Sequence, residues 1–199
     1  MGRLSFTSDD AFRLLEAEKV IALAAHPRHR SLVGEIAGEA VRGSWWGHPK
    51  GHDIFAVATA LADRADVLCA KVVDGRVAFV HHDLFAPLLR VLTDSGRRRS
   101  QTAGLDAVAR DLLARVRRTG ELTLDGATPA ERKARGKLDE RLLVHSGQLH
   151  TASGKHVAVL RTWERWAAPE TQVLAAALDY ETAVTALERA GLSRQSLRA

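Results

Sequence analysis

Apolar residues recur at helical spacing along much of the chain. After Ser8, a residue suited to an N-cap, Phe12, Leu14, Leu15, Ala17, Val20 and Ile21 form a stripe that stops before Pro27. Leu32, Val33, Ile36, Ala37 and Ala40 predict a second helix over 30–41, closed by Arg42-Gly43. Ile54, Phe55, Ala58 and Leu61 predict a third over 54–62. The period then changes. Residues 67–73 and 76–81 are β-rich runs on either side of Asp74-Gly75, a pair that accepts positive φ and so signals a tight hairpin. A short helix over 84–92 accommodates Pro87 in its first turn.

The same alternation returns further on. Residues 95–104 (Gly, three Arg, Ser, Gln and Thr) read as a linker or exposed loop. Val108, Leu112, Leu113 and Val116 then predict an amphipathic helix over 105–117, stopped by Thr119-Gly120. A strand at 121–124 follows, and Thr128 with Pro129 opens a helix to Glu140. Strands broken by turns are expected over 141–161, with a tip at Ser153-Gly154, and a C-terminal helix over 169–190 ends at Gly191. Helix, strand, helix, hairpin is the element order of a winged helix. The expected fold is therefore α+β: one or two winged-helix-like units, helices packed on small antiparallel hairpins, with flanking N- and C-terminal helices. The first unit would occupy residues 1–94 and the second 105–199. The alternation that a parallel sheet needs is missing.

Composition narrows the classes. Of 199 residues, 46% are hydrophobic and 27% charged, enough to bury a core. The single cysteine, Cys69, excludes a disulfide framework and a cysteine-cluster zinc site. No apolar run reaches the roughly 18 residues of a membrane span. The first residues lack a signal-like apolar segment, so a cytoplasmic protein with no membrane partner is expected. Net charge is +5, and 23 of the 29 basic residues are arginine. A GC-rich genome enriches Arg and Ala together, yet the distribution is uneven. Basic residues gather in the middle of the chain, whereas the first forty residues carry Asp9, Asp10, Glu16, Glu18, Glu35 and Glu39. Helix 129–140 bears Arg132, Lys133, Arg135 and Lys137, with Leu138 its only large apolar side chain, and suits a groove-entering recognition helix. Lys155 and His156 beside the hairpin tip, and Arg97, Arg98 and Arg99, are the candidate phosphate contacts.

Several stretches of the second half carry a resemblance: Thr119-Gly120-Glu121-Leu122, Lys137-Leu138-Asp139-Glu140-Arg141-Leu142-Leu143-Val144, residues 150–156, and Leu160-Arg161-Thr162-Trp163. Over residues 40–166 the chain resembles winged-helix proteins related to the bacterial DNA glycosylases that open interstrand crosslinks. The resemblance implies a winged-helix fold on duplex DNA, in repair or regulation. Those glycosylases carry a Gln-x-Gln catalytic motif. Here Gln101, Gln148, Gln172 and Gln195 stand alone, so the expectation is DNA binding without catalysis.

Other candidate chemistry is local. Trp45, Trp46, His48, Lys50 and Asp53 crowd a loop ahead of a helix. Lys50 there suits an anion. Trp45, Trp46, His48 and Asp53 could line a pocket for an extruded base, which defines the alternative reading of a glycosylase-like repair hydrolase. A plain structural corner with Asp53 as N-cap explains the loop as well. His48 and His52 are four apart, but Pro49 and Gly51 argue against a shared helical face. His81 and His82, as strand neighbours, would face opposite sides and could not both chelate, with Asp83 capping the next helix. Trp163 and Trp166 read as an edge-of-core cluster. Phosphate-loop, nucleophile-elbow and His-Glu-x-x-His motifs are absent, and neither metal nor cofactor is predicted. A third reading is a protein–protein module in which terminal helices build a homo-oligomer.

Overall fold

The computed structural model describes residues 6–41, 43–150 and 156–198. The chain is α+β, with eleven α-helices and two three-stranded antiparallel sheets among the described residues. Helix α1 (Ser8–Glu18) starts at Thr7, whose hydroxyl accepts from the Asp10 amide while the Asp10 carboxylate accepts from the Thr7 amide. It ends one turn earlier than the apolar stripe suggests, because Lys19 takes a left-handed φ of 62°. The remaining apolar residues, Val20–Ala22, become strand β1, fully buried. Three consecutive buried positions fit a strand covered on both faces better than one side of a helix.

Helix α2 (Leu32–Ala37) is capped by Ser31 and is shorter than the predicted 30–41, because Gly38 turns left-handed at φ 80°. Helix α3 (Gly51–Ala62) follows a 3-10 turn at Trp45–Gly47. Strands β2 (Val67–Val73) and β3 (Arg76–His81) pair across Asp74-Gly75, with φ of 49° and 72°, as the hairpin signal requires. The sheet order is β1-β3-β2, with Val20 opposite Val80 and Leu68 opposite Val80 on the other side. Alternate residues send Ile21 and Phe79 into a core with α1, α2 and α3, and Val20, Leu68 and Val80 into a second core on the opposite face.

That second core is built on α4 (Phe85–Leu92), which buries six of its eight residues. The segment expected as a linker is instead helix α5 (Ser95–Thr102), capped by the Asp94 carboxylate on the amides of Gly96 and Arg97. Helix α6 (Ala107–Thr119) and strand β4 (Glu121–Leu124) open the second sheet. Helix α7 (Pro129–Glu140) carries a capping box between Thr128 and Glu131. Strand β5 (His145–His150) starts later than predicted, and pairs with β6 (His156–Arg161). The order β4-β6-β5 repeats the pattern of the first sheet. Leu160, Leu124, Leu112 and Leu138 share a third core between this sheet, α6 and α7.

The tail is not one helix but α8 (Trp163–Trp166), α9 (Pro169–Ala177), α10 (Tyr180–Arg189) and α11 (Arg194–Arg198). Asp179 breaks the expected long helix by capping a new one through the Thr182 amide. Ala175, Val184, Leu187, Leu192 and Leu197 pack into the α4 core, so the tail covers the first sheet. No helix among the described residues is long and apolar enough to cross a membrane.

Candidate nucleic-acid interface

The mid-chain cations do not behave alike. Arg97, predicted on a mobile phosphate-contacting loop, is buried (6% exposed). Its guanidinium donates to the carbonyls of Leu197 and Arg141, both at 2.8 Å, and to Leu142 at 3.4 Å. Burial pushes its pKa down to about 10. The correction has a plain cause: once the segment is helical, residue 97 faces inward, and three carbonyls take up its donors. Arg98 on the same helix pairs with Glu164 at 2.5 Å. Arg99 alone of the three stands exposed without a carboxylate partner among the described residues.

On α7, Ala134 and Leu138 face the core. Lys137 is tied to Asp106. Lys133 is exposed. Arg132 is exposed and donates one Nη1 hydrogen to the Ala127 carbonyl at 2.5 Å. Arg135 is half-buried, and its Nε lies inside with no hydrogen-bond partner. None of Arg132, Lys133 and Arg135 has a carboxylate within ion-pair distance among the described residues. Glu131, the nearest acid in sequence, is engaged by the Thr128 amide and by Arg115 at 2.9 Å, and these contacts hold its carboxyl below the usual range. Arg132 and Arg135 line a cleft of about 430 Å³ together with Asp125, Val157 and Ala158. The last two lie at the start of β6, so the cationic half of α7 and the tip-side end of the β5–β6 ladder face one space. The tip itself, with Lys155, lies outside the described residues, as does the side chain of His156.

The loop before α3 is assembled differently from the expected pocket. Trp45 and Trp46 stack on each other at 4.1 Å between ring centroids, and Trp46 leans on Phe55 at 5.5 Å. Lys50 spends its ammonium on the Ile36 and Ala37 carbonyls at 2.6 and 3.3 Å, closing the end of α2. It is also the residue at the N-cap position, which displaces Asp53 into the exposed first turn of α3. His48 accepts from the Lys50 amide and faces Glu39 at 3.4 Å, so its ring supports the loop. The three cavities described for this molecule are lined by other residues.

One group has no sequence signal, and another is arranged otherwise than its strand pattern predicts. His145 at the start of β5 lies against Trp163 and Trp166, each 5.8 Å between centroids. Burial, then the Arg161 guanidinium, lowers its pKa to about 4, so it is neutral at pH 7. It shares a cavity of about 160 Å³ with Asp139, whose pKa burial raises, and with Cys69, whose thiol burial pushes up to about 11. Cys69 is thus inert at pH 7, as expected of a strand residue in a core. The expectation that His81 and His82 face opposite sides fails. Strand β3 ends at His81 and a 3-10 turn begins at His82, which swings the rings to 4.1 Å of each other. With Asp83 they form the one cluster of three metal-ligating groups among the described residues.

Comparison of the chain with family models, with curated proteins and with solved structures yields no match.

Proposed function

We propose that the chain is a winged-helix-type protein that binds duplex DNA through its second sheet, with α7 as the groove-entering helix and the β5–β6 hairpin as the wing. The observation that carries this reading is the cleft in which Arg132 and Arg135, with no ion pair among the described residues, meet the start of β6. The exposed guanidinium of Arg132 and the exposed ammonium of Lys133 keep donors free for a phosphate oxygen or a guanine edge. An α-helix about 10–12 Å across fits a major groove about 12 Å wide. The element order α6, β4, α7, hairpin and the sheet order β4-β6-β5 suit such docking. Arg132 and Lys133 would meet base edges or the backbone, and Arg99 would add a phosphate contact from α5.

Salt-dependent fluorescence anisotropy on a labelled duplex tests this. Affinity is expected to fall linearly on a log–log salt plot. Arg132→Glu with Lys133→Glu should weaken binding, with the salt slope reduced by about one for each of the two that contacts a phosphate. Glutamates at Ala56 and Ala60, exposed on α3, should leave affinity unchanged. Absence of duplex binding at low salt, or unchanged affinity in the reversed variant, overturns the proposal.

A further inference from the structure

At the end of β3, His81, His82 and Asp83 are gathered tightly enough that we propose they bind a divalent first-row transition ion, with zinc as the reference. Each offers one ligand atom, and these atoms all lie within 4.8 Å of one another. Nδ1 of His81 is 3.2 Å from one Asp83 oxygen, and Nε2 of His82 is 3.4 Å from the other. These two spacings run to different oxygens of one carboxylate, and His81 Nδ1 also accepts from the Asp83 amide at 3.4 Å, so an ion held at about 2.0–2.1 Å would draw the three groups together and take that lone pair from the amide. Two imidazoles and a carboxylate are a donor set that zinc, nickel and copper accept, and three protein ligands leave a position open.

Three features of the surroundings favour the site. The His81 ring is held in place, with a side chain only 5% exposed and the Phe12 ring 5.8 Å away. Glu16 and Asp66 lie near enough to act on the two imidazoles electrostatically, and both are acidic. His82 borders a cavity of about 360 Å³, shared with Asp66, Phe85 and Trp166, which gives the open position room for water or a small ligand.

Lys19 is the competitor. Its ammonium sits 2.7 Å from the Asp83 oxygen that also faces His81. A metal ion must displace it, and its partly exposed side chain can swing into water. This contact supplies a test that other surface histidines would not mimic. Full-length, tag-free, metal-stripped protein would be titrated with zinc chloride by calorimetry, and cobalt uptake followed by visible absorption. One zinc per chain and tetrahedral cobalt bands are expected. His82→Ala and Asp83→Asn should each weaken uptake about tenfold or more. Both side chains are about half exposed, at 53% and 49%, so the fold should survive, and circular dichroism checks it. Lys19→Met should bind zinc more tightly than the native chain. Failure of the native chain to take up zinc saturably, uptake unchanged by both ligand substitutions, or no gain in Lys19→Met overturns the proposal.

Discussion

The two sheets share a strand order and differ in everything laid around it. The first is buried on both faces, by α1–α3 on one side and by α4 with the C-terminal tail on the other. Its hairpin turns in two residues, and the turn is tied down: the Asp74 carboxylate accepts from the Ser196 hydroxyl at 2.6 Å and from Arg28 at 2.8 Å, and His26 lies at 3.2 Å. The helix before that hairpin, α3, shows solvent Phe55, Ala56, Thr59 and Ala60. The second hairpin pairs six residues of β5 with six of β6, and the helix before it shows Arg132 and Lys133. One scaffold therefore serves two surfaces. Alternation of apolar residues builds both sheets, and only the residues left outside the cores distinguish the apolar outer face of α3 from the cationic outer face of α7.

The sharpest way to break that contrast is at the seam. Arg97 joins α5 to the carbonyls of Arg141, Leu142 and Leu197, and so binds the second unit and the tail to the first. Leu142 holds a left-handed φ of 51°, and its carbonyl also accepts from the Trp163 indole at 2.8 Å. Removing the guanidinium takes this donor from the carbonyls of Leu197 and Arg141 and leaves Leu142 to the Trp163 indole alone. Arg97→Ala is expected to cost roughly 3–5 kcal/mol in urea unfolding. Arg99→Ala, two residues away and exposed, should cost less than about 0.5 kcal/mol. If the two variants unfold alike, the seam does not hold the halves together. A native chain that unfolds in two separate transitions would say the same.

Sequence and structure part company at such seams. The Asp74-Gly75 hairpin and the Thr128 cap are readable because their causes are local: positive φ at two turn residues, and a hydroxyl three residues from an amide. The buried role of Arg97 depends on carbonyls about 44 and 100 residues away, and an arginine triplet read alone points to solvent. The same holds for Lys50, whose ammonium closes a helix ending 13 residues earlier. Val20 and Ile21 read as the end of the first helical stripe for another reason: a short apolar run fits a helix or a covered strand until its sheet neighbour is known. The unpartnered Nε of Arg135 had no sequence signal, since it depends on how β6 lies against α7.

A smaller effect sharpens the difference between the hairpins. Asp74 has its carboxyl lowered to about 2, chiefly by the Ser196 hydroxyl, with His26 and Arg28 adding to it. A depressed folded-state pKa stabilises above the unfolded value near 3.8, and the contribution disappears as pH falls from there through about 2. Because the carboxylate is 42% exposed, solvent screening limits it to about 1 kcal/mol. Asp74→Asn keeps a side chain that tolerates the left-handed turn. It should lose about that much stability at pH 7 and converge on the native chain between pH 4 and pH 2, by urea titration at each pH. A constant difference across that range would mean that the charge does not anchor the turn.

The smallest expected effect concerns the apolar face of the first unit. Trp46 is 64% exposed, stacked on Trp45 and leaning on Phe55. Its burial is too slight to support the core, and an exposed aromatic pair contributes about 0.5–1.5 kcal/mol at most. Trp46→Ala should therefore cost less than about 1 kcal/mol, independent of protein concentration, and leave the mass by light scattering unchanged. It should also leave duplex affinity untouched if α7 alone reads DNA. A loss of duplex affinity in Trp46→Ala would put both units on the nucleic acid, with the first contributing a stacking surface where the second contributes charge. A destabilisation that grows on dilution would instead show the α3 face covered by a second copy of the chain, since only an interface makes stability depend on concentration.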